Sequence, residues 1–351
     1  DFGRSSKVLI ETARKEVAQI LNVSASEIIF TSGGTEADNL VLNGCVKNLN
    51  ITRIISSKIE HHAVLHAIQE MQTSHNITVE YVALDHGGAI DFGHLESLLT
   101  DTTQKTLVTL MHVNNEVGNI LDLKRTANLC KKYNALFHSD TVQSIGHYHL
   151  DFKDIQIDFA AVAAHKFHGP KGVGFAFVRK NSGIKPMIVG GAQERGMRAG
   201  TEPVYAIVGM VEALKISYKN LVQEKKYITG LKDYFKESLV REIPEIQFNG
   251  QCEDNINSSY TVLNVCIPVS PQKGMMLLFQ LDLKGIACSK GSACQSGSNK
   301  GSHVLSEILN DEDLAKPSIR FSFSSFNTKD EIDYVVQTLK TFVNSGNTLE
   351  H

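Results

Sequence analysis

Short apolar runs alternate with stretches of helical period from Ser5 to about Val222. Helical spacing over Val8–Leu21 leads to a strand at Ile28. Further strands are predicted at Arg53–Ser56, Ile77–Ala83, Thr106–Met111, Ala135–His138, Ile157–Ala163 and Val173–Val178, with helices between most of them. This alternation predicts a mainly parallel sheet covered on both faces, with ligands at the carboxyl ends of its strands. A long helix, Val204–Leu239, broken near Gly230, leads to a different pattern. Past Ile243-Pro244, short strands are predicted at Ser259–Ile267, Gly285–Ser289 and Ser318–Ser322, and helices at Gln272–Leu281 and Lys329–Val343. The expected division is a large α/β domain over 1–225 and a small α+β domain over 226–348, with 349–351 reading as an expression-tag remnant.

Candidate chemistry sits at strand ends. Lys166 lies between the apolar run ending at Ala164 and the turn Gly169-Pro170-Lys171-Gly172. Held against apolar walls, its amine would lose the hydration that keeps it protonated and could attack a carbonyl, which is Schiff-base chemistry. Alone, the position equally suits a surface lysine. Its company alters the balance. The run Ala135–Asp140 reads as a strand ending in an aspartate, and Asp140 is placed there to hold the pyridinium nitrogen of pyridoxal phosphate. The run Ile28–Asp38 passes from strand through Gly33-Gly34 to a helix start, where Thr35 is the expected N-cap, Asp38 completes an imperfect capping box, and free N–H groups can hold a phosphate.

Composition narrows the class. The chain has 351 residues, 42% of them hydrophobic, and a formal net charge of −3, so it offers no electrostatic case for nucleic acid or an anionic membrane. No apolar run approaches a membrane span. Its six cysteines are scattered through a large chain, which fits a reducing compartment and an expected cytoplasmic location. Neither Cys288 with Cys294 nor His62 with His66 completes a zinc pattern, and no metal is expected. Ser289–Ser302 is rich in glycine and serine, so Cys294 is expected in a mobile, solvent-reachable loop where a thiol can ionise.

The same stretches resemble the pyridoxal-phosphate-dependent cysteine desulfurases of the NifS/IscS type, with selenocysteine lyase as a close relative. The likeness runs in order through Phe30–Leu40, Glu60–Val64, Met111–Gly118, Asp140–Ser144, Ala164–Lys166, Glu194–Thr201, Gly291–Cys294 and Ser318–Ser322. It implies a fold-type I transferase acting as a homodimer on L-cysteine, yielding L-alanine and passing sulfur to an iron-sulfur scaffold or other acceptor protein. It makes Lys166 the cofactor lysine, Cys294 the persulfide nucleophile and His61 the ring-stacking histidine and possible proton carrier. Gly34, Thr35 and His165 would hold phosphate, and Thr201 would do so from a partner subunit. Asp140, Gln143 and Asn115 would contact the cofactor, Asn115 lying also near the substrate amine, and Arg320 would bind the substrate carboxylate. Ala163 replaces a serine that many members carry, removing a hydroxyl from the phosphate shell. The spacing after Cys294 resembles the long-loop class. The family usually begins with an Asp-x-x-Ala-Thr-Thr-Pro-like strand and a Gly-Asn-Pro-Ser turn, so a piece of the site rim is expected to precede Phe2-Gly3-Arg4. Selenocysteine lyase and an idle scaffold in a sulfur-transfer complex are the alternatives.

Overall fold

Ile28 and Phe30 pack into one apolar cluster and Ile29 into another, because the strand they form, β1 (Ile28–Thr31), is covered on both faces. The structure, a computed structural model, describes residues 2–291 and 301–345. Seven of the described strands make one sheet: β1, β2 (Arg53–Ser56), β3 (Thr78–Tyr81), β4 (Thr106–Thr109), β5 (Leu136–Asp140), β6 (Phe159–Ala163) and β7 (Gly174–Val178). Their order is β1-β7-β6-β5-β4-β2-β3. The pairs from β3 across to β6 are parallel, and β7 runs antiparallel to β6 and β1.

The helices around this sheet are α1 (Phe2–Ile20), α2 (Gly34–Leu49), α3 (His62–His75), α4 (Phe92–Leu99), α5 (Leu123–Lys132), α6 (Phe152–Ile155) and α7 (Val204–Glu242). Val17, Leu95, Ala127, Phe152 and Leu214 of α1, α4, α5, α6 and α7 cover one face. Val41 of α2 and Ile68 of α3 cover the other, against Ile54, Leu107 and Phe159 and the small side chains Ala161 and Ala176.

The chain divides into two compact units, the first made of residues 1–83, 90–113 and 121–221, the second of 84–89, 114–120 and 222–351. The expected domain boundary near residue 225 falls inside α7, which is unbroken at Gly230. That glycine is exposed, and its cost in a helix is only about 1 kcal/mol. The neighbouring buried residues Ile228, Leu231, Phe235 and Leu239 outweigh it.

In the second unit, β8 (Gln247–Asn249), β9 (Val262–Cys266) and β10 (Ser318–Ser322) form an antiparallel sheet in the order β10-β9-β8, with α8 (Pro271–Gly274), α9 (Leu277–Leu283), α10 (His303–Ile308), α11 (Asp311–Ala315) and α12 (Lys329–Asn344). The expected strand at Gly285–Ser289 does not form. Gly285, at φ +74°, turns the chain after α9, and only Ser289 pairs, by a bridge to Arg320. The expected helix Gln272–Leu281 is two pieces, α8 and α9, and the short edge strand β8 escaped the sequence reading. Leu263, Val265, Ile319 and Phe321 point into a core with Phe235 and with Ile332 and Leu339 of α12. By the period of two, Asn264 and Arg320 occupy the opposite, polar face. Among the described residues no helix is long and apolar enough to cross a membrane.

Candidate active site

Lys166 lies in a 3₁₀ turn, Ala164–Phe167, directly after β6, and Asp140 is the last residue of the adjacent parallel strand β5, in register with Ala161. Phe167 is fully buried and anchors the turn, while Lys166 is exposed. The expectation that apolar walls enclose this lysine is therefore corrected: the chain turns at Ala164, and burial passes to Ala164 and Phe167 instead. The backbone of Lys166 is held by His147, whose Nε2 donates to its carbonyl at 2.8 Å. Since a carbonyl can only accept, the proton of that imidazole sits on Nε2, and burial lowers the ring's pKa.

Asp140 Oδ1 accepts from Val142 N at 2.9 Å. Burial, then the charge of Asp38, pushes its carboxyl up to about 8, while Lys166 lies close enough for its charge to pull the other way. Behind it runs a buried polar chain that sequence reading missed. His138 shares a face of β5 with Asp140, its Nδ1 lies 2.8 Å from Thr109 Oγ1, and its Nε2 lies 3.4 Å from Asp38 Oδ1. Burial drives both members of this pair toward neutrality, raising the Asp38 carboxyl well above the usual range and lowering His138 to about 4. Glu60 is also buried, accepts from Met111 N at 2.7 Å, and is raised well above its ordinary value, first by burial. The spacing of two between His138 and Asp140 was a readable signal. Helical spacing of four from Gly34 to Asp38 was another.

The start of α2 differs from expectation. Its N-cap is Gly33, not Thr35, and Asp38 points into the buried chain rather than back to the helix end. The reason is steric: a Cβ on Gly34 would come within 2.6 Å of Val142 Cγ2, so the turn is built on glycines. Thr35 is exposed on the first turn, whose N–H groups lack intrahelical acceptors. Glu36 accepts from Ser32 N at 2.9 Å and from Arg198 Nε at 2.9 Å. Burial opposes its ionisation, but these partners outweigh burial and hold its carboxyl below the usual range. The Arg198–Thr201 segment is thus tied to the start of α2, and Thr201 is exposed. Behind it, Glu194 takes Arg14 Nη1 and Nη2 at 2.6 and 2.9 Å and Phe30 N at 2.8 Å, a buried anchor for the segment.

His61 is the N-cap of α3, and its Nδ1 accepts from Ala63 N at 3.1 Å, which leaves its ring proton on Nε2. Gln143 is half-buried three residues after Asp140, and His165 is exposed beside Lys166. Burial lowers the His165 pKa, helped by the charges of Lys166 and Lys171. His62 and His66 stack at 4.8 Å. Among the described residues no group of three or more His, Cys, Asp or Glu is placed to hold a metal.

Asn115 and Arg320 belong to the second unit. Arg320 Nη1 donates to the Asn115 carbonyl at 2.7 Å, and Asn115 Oδ1 is buried with no hydrogen-bond partner among the described residues. Cys294 lies outside the described residues. Burial raises the thiol pKa of each of the other cysteines, Cys45, Cys130, Cys252, Cys266 and Cys288, the last to about 11.

The profile of the aminotransferase class-V family matches residues 1–335. A cysteine desulfurase IscS from Dictyoglomus turgidum is 36% identical, with 99% of this chain and 87% of that protein covered. One from Clostridium botulinum is 37% identical over 97% of this chain and 85% of its own length. Among solved structures, a NifS-like protein superposes with a TM-score of 0.88 at 33% identity, covering 98% of this chain and 89% of that one. A NifS-like protein from Rickettsia africae does so with a TM-score of 0.85 at 30% identity, covering 97% and 89%. On these matches the chain belongs to the aminotransferase class-V family, among the cysteine desulfurases of the NifS and IscS type.

Proposed function

We propose that the chain is a cysteine desulfurase that holds pyridoxal phosphate in its first unit, converts L-cysteine to L-alanine and retains the sulfur as a persulfide on Cys294. The observation that carries this reading is the placement of Lys166 and Asp140 at the ends of adjacent parallel strands, with the charge of one acting on the other. The residues present suit the cofactor. Asp140 is a buried acid whose proton a pyridine nitrogen could take, and the glycine-built start of α2 offers backbone donors beside Thr35 and His165 for a phosphate.

When bound, pyridoxal phosphate supplies an electron sink for charge developing at the substrate's Cα. Lys166 would hold the aldehyde carbon with its amine and would also move the proton at the substrate's Cα. Asp140 would hold the ring nitrogen, His61 would stack on the ring, and Gln143 and Asn115 would serve its oxygen. Arg320 takes the substrate carboxylate bidentately. The Cys294 thiolate attacks the substrate Sγ. The Cβ–Sγ bond breaks with its electron pair left on Cβ, which takes a proton to become the methyl of alanine, and Cys294 keeps the sulfur. The elevated thiol pKa values of the described cysteines support Cys294 in this role by elimination. The working unit is a homodimer in which Thr201 of a second copy helps hold the phosphate, acting in the cytoplasm and handing sulfur to a protein of iron-sulfur assembly. Equal release of alanine and sulfur from L-cysteine by the reconstituted protein would support the reading. Release of neither from a protein that has taken up the cofactor would end it.

A further inference from the structure

Adjacent residues of the segment 114–120 make two different connections within the second unit. The Asn115 carbonyl takes the Arg320 guanidinium. The Glu116 carboxylate, completely buried, takes the hydroxyl of Ser302 on Oε2, while Oε1 has His303 Nδ1 at 3.9 Å and no hydrogen bond among the described residues. A Cβ on Gly291 would come within 2.8 Å of Glu116 Oε2. Gly291 has φ +62°, a conformation that favours glycine, so backbone rather than side chain abuts the carboxylate there. Gly291 and Ser302 stand on either side of positions 292–300, and both lie against the same buried carboxylate.

The backbone at Glu116 is fixed without this side chain. Asn114 Oδ1 accepts from Glu116 N and Val117 N at 2.8 and 3.0 Å, and Asn264 Nδ2 donates to the Glu116 carbonyl at 3.1 Å. Ser302 is in turn the N-cap of α10, its Oγ accepting from Leu305 N at 3.0 Å, so its hydroxyl proton is committed to Glu116 while its lone pair starts a helix. Before the segment, Ser289 and Arg320 exchange backbone hydrogen bonds at 2.7 and 3.2 Å. A buried carboxylate is costly unless its partners need it. Its hydrogen-bond partner is Ser302, after the segment, and the backbone of Gly291, before the segment, lies close to it, next to the residue that receives Arg320.

We propose that Glu116 is a positioning residue for sulfur transfer, a clamp that ties Ser302 and seats the backbone of Gly291, the two described residues that flank the stretch carrying Cys294. The inference rests on the reading of Cys294 as sulfur acceptor and of Arg320 as carboxylate ligand. In the clamp, Ser302 donates to Oε2, Gly291 lets the backbone approach, and His303 supplies a nearby imidazole on the Oε1 side.

The test is steady-state turnover of L-cysteine by cofactor-loaded Glu116→Ala, Glu116→Gln, Ser302→Ala and the double variant, with Cys294→Ser alongside. Loosening a reacting group by an ångström can cost about 10²-fold, so Glu116→Ala should lower kcat by about that factor with little change in KM. The absorbance change on adding cysteine should persist, because it needs Lys166 rather than the clamp. Glu116→Gln, whose amide oxygen still accepts from Ser302, should recover most of the rate. Ser302→Ala should fall between, and combining it with Glu116→Ala should add little. Wild-type kcat in Glu116→Ala would overturn the proposal, as would Glu116→Gln being as slow as Glu116→Ala. Should Glu116→Ala not fold, wild-type kcat in Ser302→Ala would serve the same purpose. Full desulfuration by Cys294→Ser would instead remove the reading on which the clamp rests.

Discussion

The two units handle buried polar groups in opposite ways. In the first, Asp140, Asp38 and His138 lie behind a parallel sheet, and burial pushes the acids up and the histidine down, so protons stay on the carboxyls. In the second, one atom of each side chain ties it to another element, Glu116 Oε2 to the Ser302 hydroxyl and Arg320 Nη1, from the small antiparallel sheet, to the Asn115 carbonyl. A titratable group whose charge burial opposes is poised to exchange a proton, whereas a hydrogen bond to another element holds a side chain in place. The first arrangement suits cofactor chemistry and the second suits positioning.

Lys166→Ala attacks the first arrangement at its reacting group, and the expected loss in kcat is about 10⁴-fold, with disappearance of the visible absorbance of the lysine-linked cofactor. Borohydride reduction followed by digestion should label the Lys166 peptide, and a label on any other lysine would contradict the assignment. Asp140→Asn should cost about 10²- to 10³-fold in kcat by removing the acid that gives the ring nitrogen its proton and then holds it as an ion pair. It also carries a pH signature. The folded pKa of Asp140, about 8, stands above its ordinary 3.8, so the folded chain keeps a proton that the unfolded chain gives up. The stability it contributes is full below about pH 4 and is lost as pH rises toward about 8. Melting temperatures of the cofactor-free protein should therefore fall over that window, and Asp140→Asn should flatten the fall, with Asp38 and Glu60 supplying what slope remains.

Arg320→Ala probes the second arrangement. Hydrogen bonds to a charged group contribute about 1.5–3 kcal/mol, so KM for cysteine should rise roughly 10- to 150-fold while the cofactor absorbance stays. An unchanged KM would remove the residue from the substrate site. Gly230→Ala touches neither arrangement. Its added methyl meets open space on an exposed turn of α7, and a gain of about 0.5–1 kcal/mol in thermal unfolding, with unaltered turnover, is expected. A loss of turnover there would show that α7 couples to the chemistry.

The central sheet was legible because its strands are apolar on both faces and bounded by turns, and each of the strands read in the first unit is present. The small sheet was less so. β8 has three residues at an edge, and Gly285–Ser289 has strand-like side chains, but a single residue, Ser289, finds a partner. At the proposed cofactor site, the places of Lys166 and Asp140 at the ends of neighbouring strands could be read from the sequence. Thr35 was misread as a cap because capping preferences carry no information about the close approach of Gly34 to Val142. The Asp38–His138–Thr109 chain joins three separate elements, and Glu116 meets Ser302 across 186 positions. Contacts of that range leave no local pattern to read.

The account turns on where the sulfur of cysteine first rests. Protein loaded with pyridoxal phosphate, mixed with one equivalent of L-cysteine, alkylated and digested, should release alanine in step with one added sulfur atom on the peptide containing Cys294. Alanine released with that sulfur on the Cys288 peptide, or no alanine from cofactor-loaded protein, would contradict it.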